Sequence, residues 1–201
     1  MPTSTTSGAP EPAAPASTHR AVVALVGALA GAVAVAAVTI VTGWGWSGVA
    51  ASVALVPAAM AAAIDVRTRR LPDLLVALSA ATGLFVTVVV RGWSGFVMAV
   101  LGAACLTLPL LVAHLVSPAA IGFGDVKLGG ALGVSIGVIS PDASTALLLA
   151  ALAVAVASAT GLVIAIVTRR RDVALGPALV TGAAVALMSA DQLGGVALSW
   201  Q

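Results

Sequence analysis

Residues 121–128 read Ile-Gly-Phe-Gly-Asp-Val-Lys-Leu and carry an acid and the chain's only lysine. Long apolar runs lie on both sides of them. Charges this close to membrane-length apolar segments mark a functional site or a solvated loop. Gly122 and Gly124 have no Cβ, so the backbone there can turn tightly or approach another chain closely. Asp125 then opens a helix, whose free N–H groups favour an acid. The plain alternative is a glycine turn with an aspartate cap and no chemistry.

Working outward, 61% of the 201 residues are hydrophobic and 8% are charged. No soluble domain of this size hides that much apolar surface. Several segments exceed the ~18 apolar residues that mark a membrane helix. The expected fold class is therefore all-α, a polytopic membrane helix bundle of about seven transmembrane helices. The net charge of +2 says little about partners, because in such a chain the location of each charge matters more than the sum. Nothing in the pattern points to nucleic acid. The one cysteine, Cys105, excludes an internal disulfide and a Cys-x-x-Cys zinc site.

Residues 1–18 are rich in Pro, Ser, Thr, Ala and Gly and read as a disordered tail. They contain no basic n-region of a secretory leader. Residues 19–201 form one membrane domain. The expected spans are Ala21–Gly43, Trp46–Ile64, Leu74–Val90, Gly95–Val116, Asp125–Ser140, Ser144–Thr168 and Val173–Ala190. Asp65-Val-Arg-Thr-Arg-Arg-Leu-Pro-Asp73, between the second and third, is the densest charge cluster. Pro72 ends regular structure there, and Asp73 reads as the cap of the next helix. The fifth helix is short for a full span and is expected inside the bundle. Its glycines 129, 133 and 137, spaced by four, make one stripe for tight packing.

Basic residues segregate. Arg20, Arg67, Arg69, Arg70, Lys127 and Arg169–Arg171 fall on one side of the alternating spans, and Arg91 alone on the other. The positive-inside rule makes the first side cytoplasmic, and with it the N-terminus. Asp65 and Asp125 then share the cytoplasmic face, at the inner ends of the second and fifth spans. Two close carboxylates do not both ionise easily and share a proton. One can act as a base on water while the other donates to a substrate carbonyl.

The ordered pair Ala-Ile-Asp65-Val-Arg-Thr-Arg-Arg-Leu-Pro72-Asp73 and Gly122-Phe-Gly-Asp125-Val-Lys127-Leu resembles the type IV prepilin peptidase family. These are membrane aspartic proteases of the Gly-x-Gly-Asp class. The resemblance implies that Asp65 and Asp125 are the catalytic pair, with Gly122, Gly124 and Lys127 in support. It implies water as nucleophile, no metal and no cofactor. It implies a prepilin or pseudopilin precursor as partner, cut at the cytoplasmic face of the plasma membrane. Gly176-Pro177 resembles a Gly-Pro element late in that family. Bifunctional members add an N-terminal domain with cysteine pairs and methylate the product. With Cys105 alone this chain resembles the short, peptidase-only members. Where the family often has Asn after the loop proline, this chain has Asp73.

The main rival is a proton-coupled membrane transporter using the same acids. It fits less well, since the acids lie at one face and no internal repeat is visible. A helix-packing assembly factor would leave the paired acids without a purpose. His114 reads as interfacial, Asp142 as a turn residue and Cys105 as core.

Overall fold

The computed structural model describes residues 45–68, 71–118, 121–168 and 175–190. They form five helices and, among the described residues, no strand: α1 (Gly45–Thr68), α2 (Asp73–Val116), α3 (Phe123–Ile139), α4 (Ala143–Thr168) and α5 (Gly176–Met188). The expected first span, the tail before it, Arg20, Arg69, Arg70 and Arg169–Arg171 lie outside the described residues. Two of the seven expected helices are one element here: the third and fourth join as α2. α2 is broken at Gly92, which has φ 63° and ψ −146° and is the positive-φ glycine of the described chain. L-residues with a side chain rarely adopt that conformation.

The break is a reversal. A Cβ on Gly95 would fall against Thr87 and Arg91. Residues eight apart in a straight helix are separated by ~12 Å along the axis. Contacts with α3 confirm it. In the first arm Asp73 meets Lys127, Gly83 meets Val134, and Arg91 meets Val138 and Ser140, so this arm runs alongside α3 in the same direction. In the second arm Met98 meets Gly137, Gly102 meets Gly133, and Leu110 meets Gly129, so this arm is antiparallel to α3.

α3 occupies the centre, with eleven of its 17 residues buried, which agrees with the expectation for a short helix. The glycine stripe makes this possible. A Cβ on Gly133 would overlap the Gly102 carbonyl and Ala103, and one on Gly137 would overlap the backbone of Met98 and Ala99. From the other side, a Cβ on Gly102 would strike Gly133 and Gly137. Small residues let helix backbones touch where dispersion rather than side-chain burial holds them. Around this centre α1 packs against α2, joined by a buried hydrogen bond from Ser79 Oγ to Ala54 O at 2.6 Å. α4 and α5 pair antiparallel, Gly161 beside Leu175 and Gly182 against the Ala153 carbonyl.

The outer surface is apolar. Phe85 and Leu115 are each 71% exposed, and Trp93 and Val167 each 76%. α2 and Ala143–Val167 of α4 are long and apolar enough to cross a membrane. Exposed apolar surface on this scale needs a nonaqueous partner.

At the end of α3, Arg91 donates from one guanidinium nitrogen to Val138 O at 2.6 Å and Ser140 O at 3.0 Å. It thus satisfies carbonyls that a helix C-terminus leaves open, with the favourable sign of charge. Across the same turn, Asp142 caps α4. It accepts from the Ser144 hydroxyl at 2.5 Å and the Thr145 amide at 2.7 Å, which holds its carboxyl below the usual range. Arg91→Met is expected to lower stability by about 1–3 kcal/mol, read as a reduced melting temperature in detergent.

Glycine replacements separate packing from helix propensity. Gly133→Ala has no room and should destabilise by about 1–3 kcal/mol or prevent assembly. In Gly161→Ala the new Cβ meets only Leu175 Cδ1, at an ordinary 3.6 Å. That variant should gain up to ~1 kcal/mol. The two melting shifts should have opposite signs.

Candidate active site

Three helix ends meet at the end of the bundle away from Arg91. Asp65 lies in the last turn of α1 and is 7% exposed, the one buried acid among the described residues. The N-terminus of α5 packs on it: a Cβ on Gly176 would come within 3.0 Å of Asp65 Oδ2 and would touch Ala62. Pro177 follows in the first turn of α5, where its missing N–H costs nothing. Gly176 is therefore small because a carboxylate lies against it.

Asp125 comes from α3. The helix begins two residues earlier than expected, at Phe123, with Gly122 as its extended N-cap. Asp125 is thus in the third helical position rather than at the cap. Its Oδ2 accepts from the Gly122 N–H at 3.2 Å, and its own N–H donates to Gly122 O at 3.0 Å. This reciprocal pairing fixes the half-buried side chain against the turn and meets an open amide of the helix start. A Cβ at Gly122 would meet Asp125 Oδ2 at an ordinary 3.4 Å, so this contact does not itself require glycine. Gly124 serves another contact, with Leu71: a Cβ at Gly124 would lie 3.1 Å from Leu71 Cδ1.

The two acids that the sequence singles out are brought together. α1 packs against α3, and the charge of Asp65 acts on Asp125 through space. Such a pair can hold one proton between two oxygens, leaving one carboxylate to take a proton and one carboxylic acid to give it.

The third acid is placed differently from the expectation. The N-cap of α2 is Pro72, without a side-chain cap, and Asp73 is the first helical residue. Asp73 Oδ1 lies 2.8 Å from Lys127 Nζ in an exposed ion pair. Lys127 also lies over the Phe123 ring, 5.4 Å from its centre. His114, in the last turn of α2, is half-buried. Its Nδ1 is 2.7 Å from Ile121 O, and its ring tilts against Phe123 at 5.7 Å. In the sequence Gly176 stands out only as part of a Gly-Pro element and His114 only as a residue near a helix end, and no local pattern says which carboxylate or carbonyl each one faces. Cys105 is partly buried and packs against the main core, as expected.

Residues 51–167, more than half of the chain, match the type IV leader peptidase family. The chain belongs to that family. The match includes Asp65, Asp73, the Gly-x-Gly-Asp turn and Lys127. No curated protein and no solved structure matches the chain significantly. Membership supports a peptidase, and the helices around its site include two apolar enough to cross a membrane.

The fit of α5 to Asp65 makes a direct test. Gly176→Ala forces its Cβ against Asp65 Oδ2; if Asp65 takes part in a reaction, moving it by a fraction of an ångström is costly. Cleavage of a leader-bearing precursor should fall about tenfold or more, with the protein still folded by melting analysis.

Proposed function

We propose that this chain is a membrane aspartic endopeptidase that removes the leader of prepilin-like or pseudopilin-like precursors. Asp65 and Asp125 are its catalytic dyad. The observation that carries this reading is the convergence of one buried and one half-buried carboxylate at adjoining helix ends, inside the region matched by a leader-peptidase family. One carboxylate takes a proton from water as the oxygen attacks the scissile carbonyl. The other, protonated, donates to the carbonyl oxygen; as the diol collapses it takes that proton back, and the first carboxyl passes the proton taken from water to the leaving amine. The dyad supplies both roles without a further cofactor.

The membrane setting follows the same reading. The bundle would sit in the plasma membrane with about seven spans, N-terminus inside. The acids would lie at the cytoplasmic surface, where a bilayer admits water and a substrate's basic leader can stay in the cytoplasm. Residues 19–201 are then one peptidase domain after a short tail. The proton-coupled transporter is the weaker reading. The acids stand at one end of the bundle, where they touch a turn and two helix termini, rather than midway along a translocation path.

Asp65→Asn and Asp125→Asn should each abolish cleavage of a purified precursor carrying a basic leader and one apolar helix, with melting in detergent preserved. Asp73→Asn should keep at least about a tenth of wild-type activity, since its partner lies outside the dyad. A dead Asp73→Asn beside an active Asp65→Asn would reassign the first acid. Cleavage should persist in chelator, and a tag on residue 1 should be protected in intact cells while one after Gln201 is reachable.

A further inference from the structure

Lys127 stands two residues beyond Asp125, and positions two apart on a helix point about 200° from one another. Its ammonium group leaves the Asp125 side of α3 and reaches the start of α2. There it pairs with Asp73 at 2.8 Å and covers the Phe123 ring. Asp73 follows Pro72, and Pro72 follows Leu71, whose side chain lies against the backbone of Gly124. Residues 71–73, at the start of α2, are therefore fastened to α3 at two points: Leu71 on Gly124 and Asp73 on Lys127. Asp65 stands six residues before Leu71 in the chain, and Asp125 lies between the two points of attachment on α3.

We propose that Lys127 and Asp73 are positioning residues for the dyad, and that Lys127 acts on the reaction through Asp73 rather than on the substrate. The ion pair clamps the start of α2 onto α3 and so sets the spacing of Asp65 and Asp125. This rests on the dyad reading above. The Lys127 side chain is 41% exposed and that of Asp73 75%, and ion pairs this exposed contribute little to global stability. Their effect is conformational: they select one placement of residues 71–73, which Pro72 already stiffens. The remaining neighbours agree with a frame built around the turn. His114 holds Ile121 O from the far end of α2, and its ring and Lys127 both lie against Phe123.

The test uses full-length protein in detergent with a synthetic precursor peptide bearing a basic leader and an apolar helix. kcat, KM and melting are measured for Asp73→Ala, Lys127→Ala, the double variant, and the charge-reversed pair Asp73→Lys with Lys127→Asp. Each single change should lower kcat about three- to tenfold with KM within about twofold and melting nearly unchanged. The double variant should be no worse than either single one, and the reversed pair should regain at least about half of the lost rate. Asp73→Asn, isosteric and uncharged, keeps the test usable if an alanine variant does not insert. Additive losses, or unchanged kcat in both single variants, would overturn the clamp. A loss above about a hundredfold in Lys127→Ala, without recovery in the reversed pair, would overturn it in favour of a direct contact with substrate. The underlying dyad is read separately in the same assay: cleavage by Asp65→Asn or Asp125→Asn would remove the dyad, whereas additivity at Asp73 and Lys127 removes the clamp alone.

Discussion

The contact on which this structure depends is the approach of α3 to the second arm of α2. Gly102, Gly133 and Gly137 meet backbone to backbone, with no space for even one methyl group. That approach lets a helix of 17 residues lie buried among the other four. It also sets the rotation of α3 about its own axis, because Gly129, Gly133 and Gly137 lie on one face of it, against the second arm of α2. Rotation in turn determines which residues face α1 and which face α2. Asp125 lies on the side where Asp65 acts on it, and Lys127 lies on the side where Asp73 meets it. The distant end is secured by Arg91, which holds the last carbonyls of α3 from the reversal in α2.

Polar groups are segregated to the two ends, and each end has a different job. Near Arg91 the bonds complete helix termini. Near Asp65 three helix ends leave a carboxylate against the backbone of a glycine, next to a second carboxylate tied to its own turn. Burying an acid among alanines and leucines is costly unless it is paired or neutral. On the dyad reading proposed above, a proton shared with Asp125 would relieve that cost and would at the same time serve acid–base hydrolysis. Within the apolar middle, polar side chains bond mostly to nearby carbonyls, as Thr87 does to Gly83 O and Thr82 to Leu78 O. Ser135 Oγ is buried without a partner among the described residues, and nothing in the structure explains it.

Much of this was legible in one dimension. Run length and apolar content are local properties, and a segment of some twenty apolar residues has few structural options beyond a helix. Hence the helical class, the ends of α1, α4 and α5 to within a few residues, and the glycine stripe followed from the chain alone. The two acids stood out because charge is rare in such a sequence, and their motifs carried the family resemblance that the match over residues 51–167 bears out.

What the sequence could not specify was which polar group each polar group would meet. Arg91 reads locally as a topology mark, and in the fold it caps a helix 47 residues away. Asp73 reads as a helix cap, and its partner is Lys127, 54 residues on. Gly92 looks like one glycine among 21, yet it is where α2 turns back, and that reversal sets the directions of both arms. Gly176 looks like a helix opener, and it is the floor under Asp65. Helicity and membrane affinity are sums over neighbouring residues, so the sequence alone determines them. Pairing across the bundle depends on helix rotation and approach distance, which glycine contacts between segments far apart in the chain decide only when the whole bundle is packed.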